Sequence, residues 1–354
     1  MKRNSSQAKE VHSVLKRTVI LPQALAEWLE GTSHEMEREM FPLKQYLERN
    51  APQSLFRIRR FTDNTVDALK NDKLFFTRAD FFNDPYDCLL YFDEDKLRES
   101  VESQISETQL QRYLRATGIQ YPVNETIKNE GDLLQLFRDD KSEFMKDVEQ
   151  IFSVITDKLQ KGTYIACLGE TVKSPVMWSH YSDNHKGFAI EYQFEPEFFY
   201  PKPHFPVNDE FDGYGWRSLL PVYYSKYRTD GTQLAEWYCL CEMRKKFSPA
   251  NKQGDVSFFL PDMLLKTKLS LEKAEAWAYE REWRLILTHE WPNDIGSPRV
   301  HIQKKAAGIY LGARMEEGNK LQLIHIAKEK EIPVYEMYID HSSREYEMNW
   351  RQVL

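Results

Sequence analysis

The sequence predicts a mixed α+β protein whose short strands are interrupted by helical insertions. Three observations carry this. Short apolar runs such as Leu55-Phe56-Arg57-Ile58 and Gly308-Ile309-Tyr310-Leu311 recur without a regular strand–helix alternation. A charge-rich stretch over residues 93–161 has helical periodicity. Neither G-x-G-x-x-G nor a Walker lysine loop occurs, which removes the two commonest phosphate-binding architectures.

Taken in order, residues 22–50 repeat apolar side chains at helical spacing (Ala24, Leu25, Trp28, Leu29, then Met36, Met40, Leu43, Leu47), with a break at Gly31 and an end at Pro52. Residues 1–54 therefore read as an N-terminal helical extension. Leu55–Phe61 reads as the first strand. Thr62-Asp63-Asn64 offers a cap for a short helix through Val66 and Leu69, and Lys73–Thr77 is the second strand. Phe81-Phe82-Asn83-Asp84-Pro85-Tyr86-Asp87 is an acidic, aromatic turn.

Residues 93–161 form a helical insertion whose last part carries an apolar stripe at Phe144, Val148, Ile151, Phe152, Ile155 and Leu159. Thr163–Leu168 returns to strand, Pro175–Tyr181 is a short helix with Pro in its first turn, and Gly187–Tyr192 is a strand. A Pro-, Gly- and Asp-rich loop fills 196–217, and Leu220–Tyr224 is an edge strand because of Pro221. Helices are expected over 232–247 and 259–279, and strands at Trp283–Leu287, Gly308–Gly312 and Ile332–Met337. A helix lies before the last of these, through Leu321 to Lys330. The whole reads as one α+β domain over 55–340 with a polar tail at 341–354.

Hydrophobic residues make up 41% and charged residues 29%, a balance that suits a folded protein. The net charge of -7 argues against general binding of duplex nucleic acid, whose affinity comes mainly from Lys and Arg on phosphates. No apolar run approaches the roughly 18–20 residues of a membrane helix, so no membrane partner is expected. Cys88, Cys167, Cys239 and Cys241 form no disulfide framework, and no secretory signal precedes them, so a cytoplasmic setting is expected.

The stretch Trp277-Ala278-Tyr279-Glu280-Arg281-Glu282-Trp283-Arg284 sets two carboxylates among large aromatics before an apolar run. On a strand, Glu280 and Glu282 share one side and Arg281 and Trp283 the other. A core strand does not need paired carboxylates, and a surface loop does not need two tryptophans, so the lip of a pocket is expected. The competing reading pairs both carboxylates with Arg281 or Arg284. Arg57 and Arg59 share one face of the first strand and Arg60 takes the other; guanidiniums there suit a diphosphate or, equally, salt bridges to Asp63 or Asp67. Asn83, Asp84 and Asp87 either bond nearby backbone amides or orient an arginine. His180 sits in an aromatic run that suggests partial burial. His180, His185, Glu191 and Cys239-x-Cys241 match no zinc spacing, so no metal is expected.

Five blocks stand in one order: Leu55–Phe61; Leu74–Thr77 with Phe82–Asp87; Met177–Tyr181 with His185–Phe188; Tyr279–Arg284; Gly308–Gly312. This set resembles the bacterial domain-of-unknown-function 2971 family over roughly residues 55–338. The layout is also similar, more distantly, to the ADP-ribosyltransferase fold. That resemblance implies a split mixed β-sheet core and NAD as cofactor. It implies Glu282 as the catalytic carboxylate with Glu280 orienting the nucleophile, Arg59 on the diphosphate and Thr77 on the nicotinamide ribose. Phe76 or Tyr86 would stack on the cofactor, with Asn83, Asp84 and His180 beside it. A toxin or anti-phage effector acting on a macromolecular target is implied; were the chain a non-catalytic module, the 93–161 helices would be the protein-binding surface, their charge-rich faces equally suiting plain solvation. Two other classes stand beside it: a metal-dependent nuclease using Asp84, Asp87, Glu191 and Glu282, and a non-catalytic nucleotide-sensing or protein-binding module.

Overall fold

The computed structural model describes residues 47, 51–104, 141–195, 198, 215–236, 265–289 and 299–354. The helical extension apart from residues 47 and 51–54, residues 105–140 of the helical insertion, most of the loop at 196–217 and the region 237–264 lie outside the described residues. The chain is mixed α+β, with a large mixed sheet and several helices.

Thr62 caps the first helix with a reciprocal box. Its side chain accepts from Thr65 N, and Thr65 Oγ1 accepts from Thr62 N. The helix, α1 (Asp63–Lys70), has Asp63 in its first turn and Lys70 in its last, both favourable to its dipole. It joins β1 (Leu55–Arg59) to β2 (Lys73–Arg78). Further on come α2 (Glu94–Gln104), α3 (Lys141–Lys161), β3 (Thr163–Gly169), α4 (Pro175–Tyr181), β4 (Phe188–Tyr192), β5 (Gly215–Pro221) and β6 (Tyr223–Ser225). The last part holds α5 (Leu265–Leu271), β7 (Glu272–Ala274), β8 (Glu282–His289), β9 (Arg299–Gln303), β10 (Gly308–Leu311), α6 (Glu317–Lys330), β11 (Val334–Ile339) and β12 (Met348–Gln352).

The sheet runs β12-β11-β10-β4-β1-β3-β2-β9, with β8 on β3 and β5 on β8. Only β10 and β11 pair in parallel within it. The decisive feature is at β3. Its whole length pairs with β8, so β1 and β2 must share its other side. β2 takes one end through Thr77↔Ile165 and Arg78↔Tyr164. β1 takes the other through Phe56↔Gly169. Between them Ala166, Cys167 and Leu168 pair with β8 alone, and the sheet opens.

One side of this opening is fixed by a core of Ile58, Val172, Trp178, Ala189, Tyr310 and Met337. Ser174 caps α4 and Pro175 starts it, which aims Trp178 inward; its indole donates to Val172 O at 2.6 Å. The following turn lies so close to β1 that a Cβ on Gly187 would sit 2.0 Å from Arg59 O.

By contact, the described residues of Met1–Cys88, Lys161–Tyr227 and Lys266–Leu354 form one compact unit, and those of Leu89–Gln160 and Arg228–Leu265 another. In the second unit Phe92 stacks on Phe152, and Leu97, Ile155 and Leu159 are buried.

Four local expectations are corrected. Residues 272–274 form β7 rather than continuing a helix, because they pair in parallel with β6. β5 starts at Gly215, inside the expected loop, and ends at Pro221 on a strand whose only partner is β8 among the described residues. The polar tail contains β12, which pairs with β11 along its full length. Glu280 is not on the strand of Glu282. It closes a 3-10 turn over Glu275–Glu280, Arg281 then adopts a left-handed conformation with φ 44°, and β8 begins at Glu282.

Candidate functional site

The opening in the sheet is a cleft of about 290 Å³ within the first unit. Arg57 and Arg59 of β1 form one wall, with Thr77 of β2 and Arg299 of β9 beside them. Phe81, Phe82 and Asn83 form the rim. Cys167 and Leu168, in the unpaired stretch of β3, lie at its base. Tyr181, Lys273, Glu280 and Glu282 form the opposite wall.

That acidic wall is a buried chain of ion pairs. Lys273 Nζ bridges the two carboxylates, 2.6 Å from Glu280 Oε2 and 2.8 Å from Glu282 Oε2. Arg284 Nε donates to Glu282 Oε1 at 2.9 Å, and its two terminal nitrogens donate to Asp87, with Nη1 also reaching Ser270 O at 2.7 Å. The Tyr181 hydroxyl donates a short bond to Glu280 Oε1. Local structure explains the convergence. β6 and β7 pair with Tyr224 opposite Lys273, and Tyr224 Oη accepts from Glu282 N at 2.9 Å. The left-handed Arg281 swings Glu280 back beside the start of β8. Lys273 also lies 5.0 Å from the centroid of the Trp277 ring, a favourable cation–π placement.

The two carboxylates are electrostatically unlike. Burial pushes Glu282 up, but Arg284 and Lys273 together outweigh it and hold the carboxyl well below the usual range. Burial raises Glu280 and Lys273 only partly offsets it, with charged Glu282 adding to the rise. The two neighbouring carboxylates are thus shifted in opposite directions by their surroundings. Burial and Glu282 push the Cys167 thiol up, which favours its protonated form.

The basic wall is uncompensated. Arg57 is only 7% exposed, donates from Nη1 to Phe75 O at 2.6 Å, and leaves a buried Nε with no partner. Burial lowers both Arg57 and Arg59, and Arg57 further lowers Arg59. Guanidiniums do not give up their proton under such pressure; they attract an anion. No carboxylate pairs with Arg57 or Arg59 among the described residues.

The cleft brings together Glu282, Glu280, Arg59, Thr77 and Asn83 of the residues singled out from sequence. Phe76 alternates to the other face of β2 and is fully buried. Asp84 caps its own turn, its Oδ1 accepting from Tyr86 N at 2.9 Å, while its buried Oδ2 has no partner. Tyr86 is 60% exposed and does not line the cleft. His180 is exposed rather than partly buried, because α4 turns it outward against Tyr279 Oη at 3.1 Å while Tyr181 enters the cleft. Sequence reasoning missed Lys273, Cys167, Tyr224 and Arg299.

Among the described residues, no three His, Cys, Asp or Glu side chains are grouped so as to hold a metal ion. Of the nuclease set, Asp87 and Glu282 are separated by Arg284, and Glu191 accepts from Ser54 and Tyr310. No described helix is long and apolar enough to cross a membrane.

Residues 177–285 match the family model described as Protein of unknown function (DUF2971). The matched segment runs from α4 to β8 and includes Tyr181, Lys273, Glu280, Glu282 and Arg284. No curated protein and no solved structure matches the chain.

Proposed function

We propose that this DUF2971-family chain is an enzyme that binds a phosphate-bearing substrate in the cleft between β1 and β2, and that its reaction is ADP-ribosyl transfer from NAD. The observation that carries this reading is the cleft's polarity. Buried, acid-free Arg57 stands with Arg59 on one wall, and the Glu280–Glu282 pair stands on the other. The orphaned Arg57 Nε suits a phosphate oxygen. A cleft of about 290 Å³ suits a ribose and its phosphate.

Cleavage of the nicotinamide–ribose bond develops positive charge on the ribose. In this reading Glu282, held ionised by Arg284 and Lys273, stabilises that charge. Glu280 takes the proton of the incoming nucleophile as that nucleophile bonds to the ribose carbon and neutral nicotinamide leaves. Arg57 and Arg59 hold the diphosphate, with Thr77 on the ribose. Opening of the sheet between an arginine-bearing strand and a glutamate-bearing strand supports an ADP-ribosyltransferase-like split core.

The test is incubation of purified protein with NAD, alone and with lysate, measuring nicotinamide release and ADP-ribose transfer. Activity lost in Glu282→Gln with NAD binding retained supports the transferase. NAD that neither binds nor is consumed overturns it. A second reading, a nucleotide-binding module without catalysis, is favoured by the lock that Lys273 places on both carboxylates. It is distinguished by NAD binding without turnover.

A further inference from the structure

A second cavity, of about 500 Å³, lies away from the cleft, beside β11 and the turn after α4. Its polar and charged lining is His185, Arg314, Glu336, His341 and Arg351. Glu336 is already committed, accepting from Lys320 Nζ at 2.6 Å and from Arg351 Nη2 at 2.6 Å. Arg314 and His185 have no carboxylate partner among the described residues, and Arg314 is close enough to oppose protonation of the imidazole. Ala313 and the exposed Ile339 supply an apolar side.

The wall that carries His185 is unusually built. Asp183, Asn184 and His185 take successive positive φ values of 51°, 54° and 72°. Asn and Asp accept that region readily, yet three in a row is a conformation that must be held by its surroundings. It is held on both sides. Arg314 N donates to His185 O at 2.9 Å, and Gly312 N to Gly187 O at 2.9 Å. Gly312 approaches so closely that a Cβ there would lie 2.3 Å from His185 O. His185 is therefore presented in a fixed place next to Arg314, and little ordering remains to be done on binding.

We propose that this cavity is a second binding site, for a small organic anion with a phosphate or carboxylate head on Arg314 and His185 and an apolar body against Ala313 and Ile339. It does not depend on the transferase reading, since it shares no lining residue with the cleft.

The experiment uses full-length protein labelled at isoleucine and methionine methyl groups. Exposed Ile339 reports the second cavity and Met177 the cleft. Phenyl phosphate, benzoate and inorganic phosphate are titrated separately. Saturable movement of the Ile339 signal with phenyl phosphate or benzoate is expected, with inorganic phosphate weaker for want of an apolar body. The stronger of the first two identifies the head group. Arg314→Ala, at an exposed position, is expected to weaken that response by about ten-fold while leaving Met177 unaffected. An Ile339 signal that none of the three moves overturns the proposal, as does an unchanged affinity in Arg314→Ala. Movement of Met177 alone assigns binding to the cleft and also counts against it.

Discussion

Arg284 and Asp87 meet in a two-pronged ion pair, Nη1 to Oδ1 at 2.7 Å and Nη2 to Oδ2 at 2.6 Å, with both side chains sealed from water. The same guanidinium holds Glu282, so one buried cation ties the turn after β2 to the head of β8 and fixes the carboxylate in the cleft. Stability and site geometry rest on a shared group. Arg284→Met leaves two buried carboxylates short of a partner and is expected to cost about 3–5 kcal/mol. Arg351→Met, which breaks an exposed pair with Glu336, is expected to cost less than about 1 kcal/mol. Urea unfolding of both variants at neutral pH checks the contrast. Equal losses would mean that the buried network contributes no more than a surface bridge.

The unlike carboxylates predict a signed pH dependence. Glu282 is depressed in the folded chain, so its contribution is present above the unfolded value of about 4.3 and is lost as pH falls toward its folded value. Glu280 is raised, so the folded state binds its proton more tightly, and its contribution falls as pH rises from the unfolded value through the folded one. Glu282→Gln is therefore expected to flatten the acid limb of stability against pH. Glu280→Gln is expected to remove a loss on the alkaline side of that limb. Urea midpoints taken across the acid range check both, and the opposite assignment would show the two slopes exchanged.

Strands that stand on local apolar runs were legible: Leu55–Arg59, Lys73–Arg78, Thr163–Gly169, Phe188–Tyr192 and Gly308–Leu311 each lie where the side chains alone put them. β9 and β12 were not, because Arg299–Gln303 and Met348–Gln352 carry few apolar residues and exist through pairing with distant β2 and β11. The site divides the same way. Glu280, Glu282 and the β1 arginines were visible as an odd local composition. Lys273 was hidden, because what makes it important is a parallel pairing between β6 and β7 that no local period records. Phe76 and His180 fell on the wrong faces of correctly read elements, since a strand's or short helix's orientation is set by what it packs against.

Two glycines separate close packing from helix propensity. At Gly187 a Cβ would lie 2.0 Å from Arg59 O and 2.9 Å from Ser182 Cβ, so backbone must move. Gly187→Ala is expected to destabilise by about 1–3 kcal/mol or more. At Gly318, inside α6, nothing lies within 4 Å. Gly318→Ala is expected to stabilise by roughly 0.5–1 kcal/mol through lost chain freedom in the unfolded state. Thermal unfolding of the two single variants reads both signs, and a neutral Gly187→Ala would contradict the close approach of the turn to β1.

Arg57 offers the sharpest separation of binding from folding. Its guanidinium is buried, its Nε has no partner, and its neighbours Arg59 and Arg299 repel it. Its hydrogen bond to Phe75 O is worth about 1.5–3 kcal/mol at most as a charged donor. Arg57→Met keeps an apolar stem of similar length, removes the charge and relieves Arg59, so these gains and that loss oppose each other. Stability is expected to change by no more than about 1 kcal/mol. Affinity for NAD or ADP-ribose, measured by calorimetry, is expected to fall by about ten- to a hundred-fold, the worth of a charge-assisted bond to phosphate. Unchanged affinity with unchanged stability would remove Arg57 from the binding wall. A large loss of stability would instead make its buried charge a structural element, and the anion-binding role of β1 would then rest on Arg59 alone.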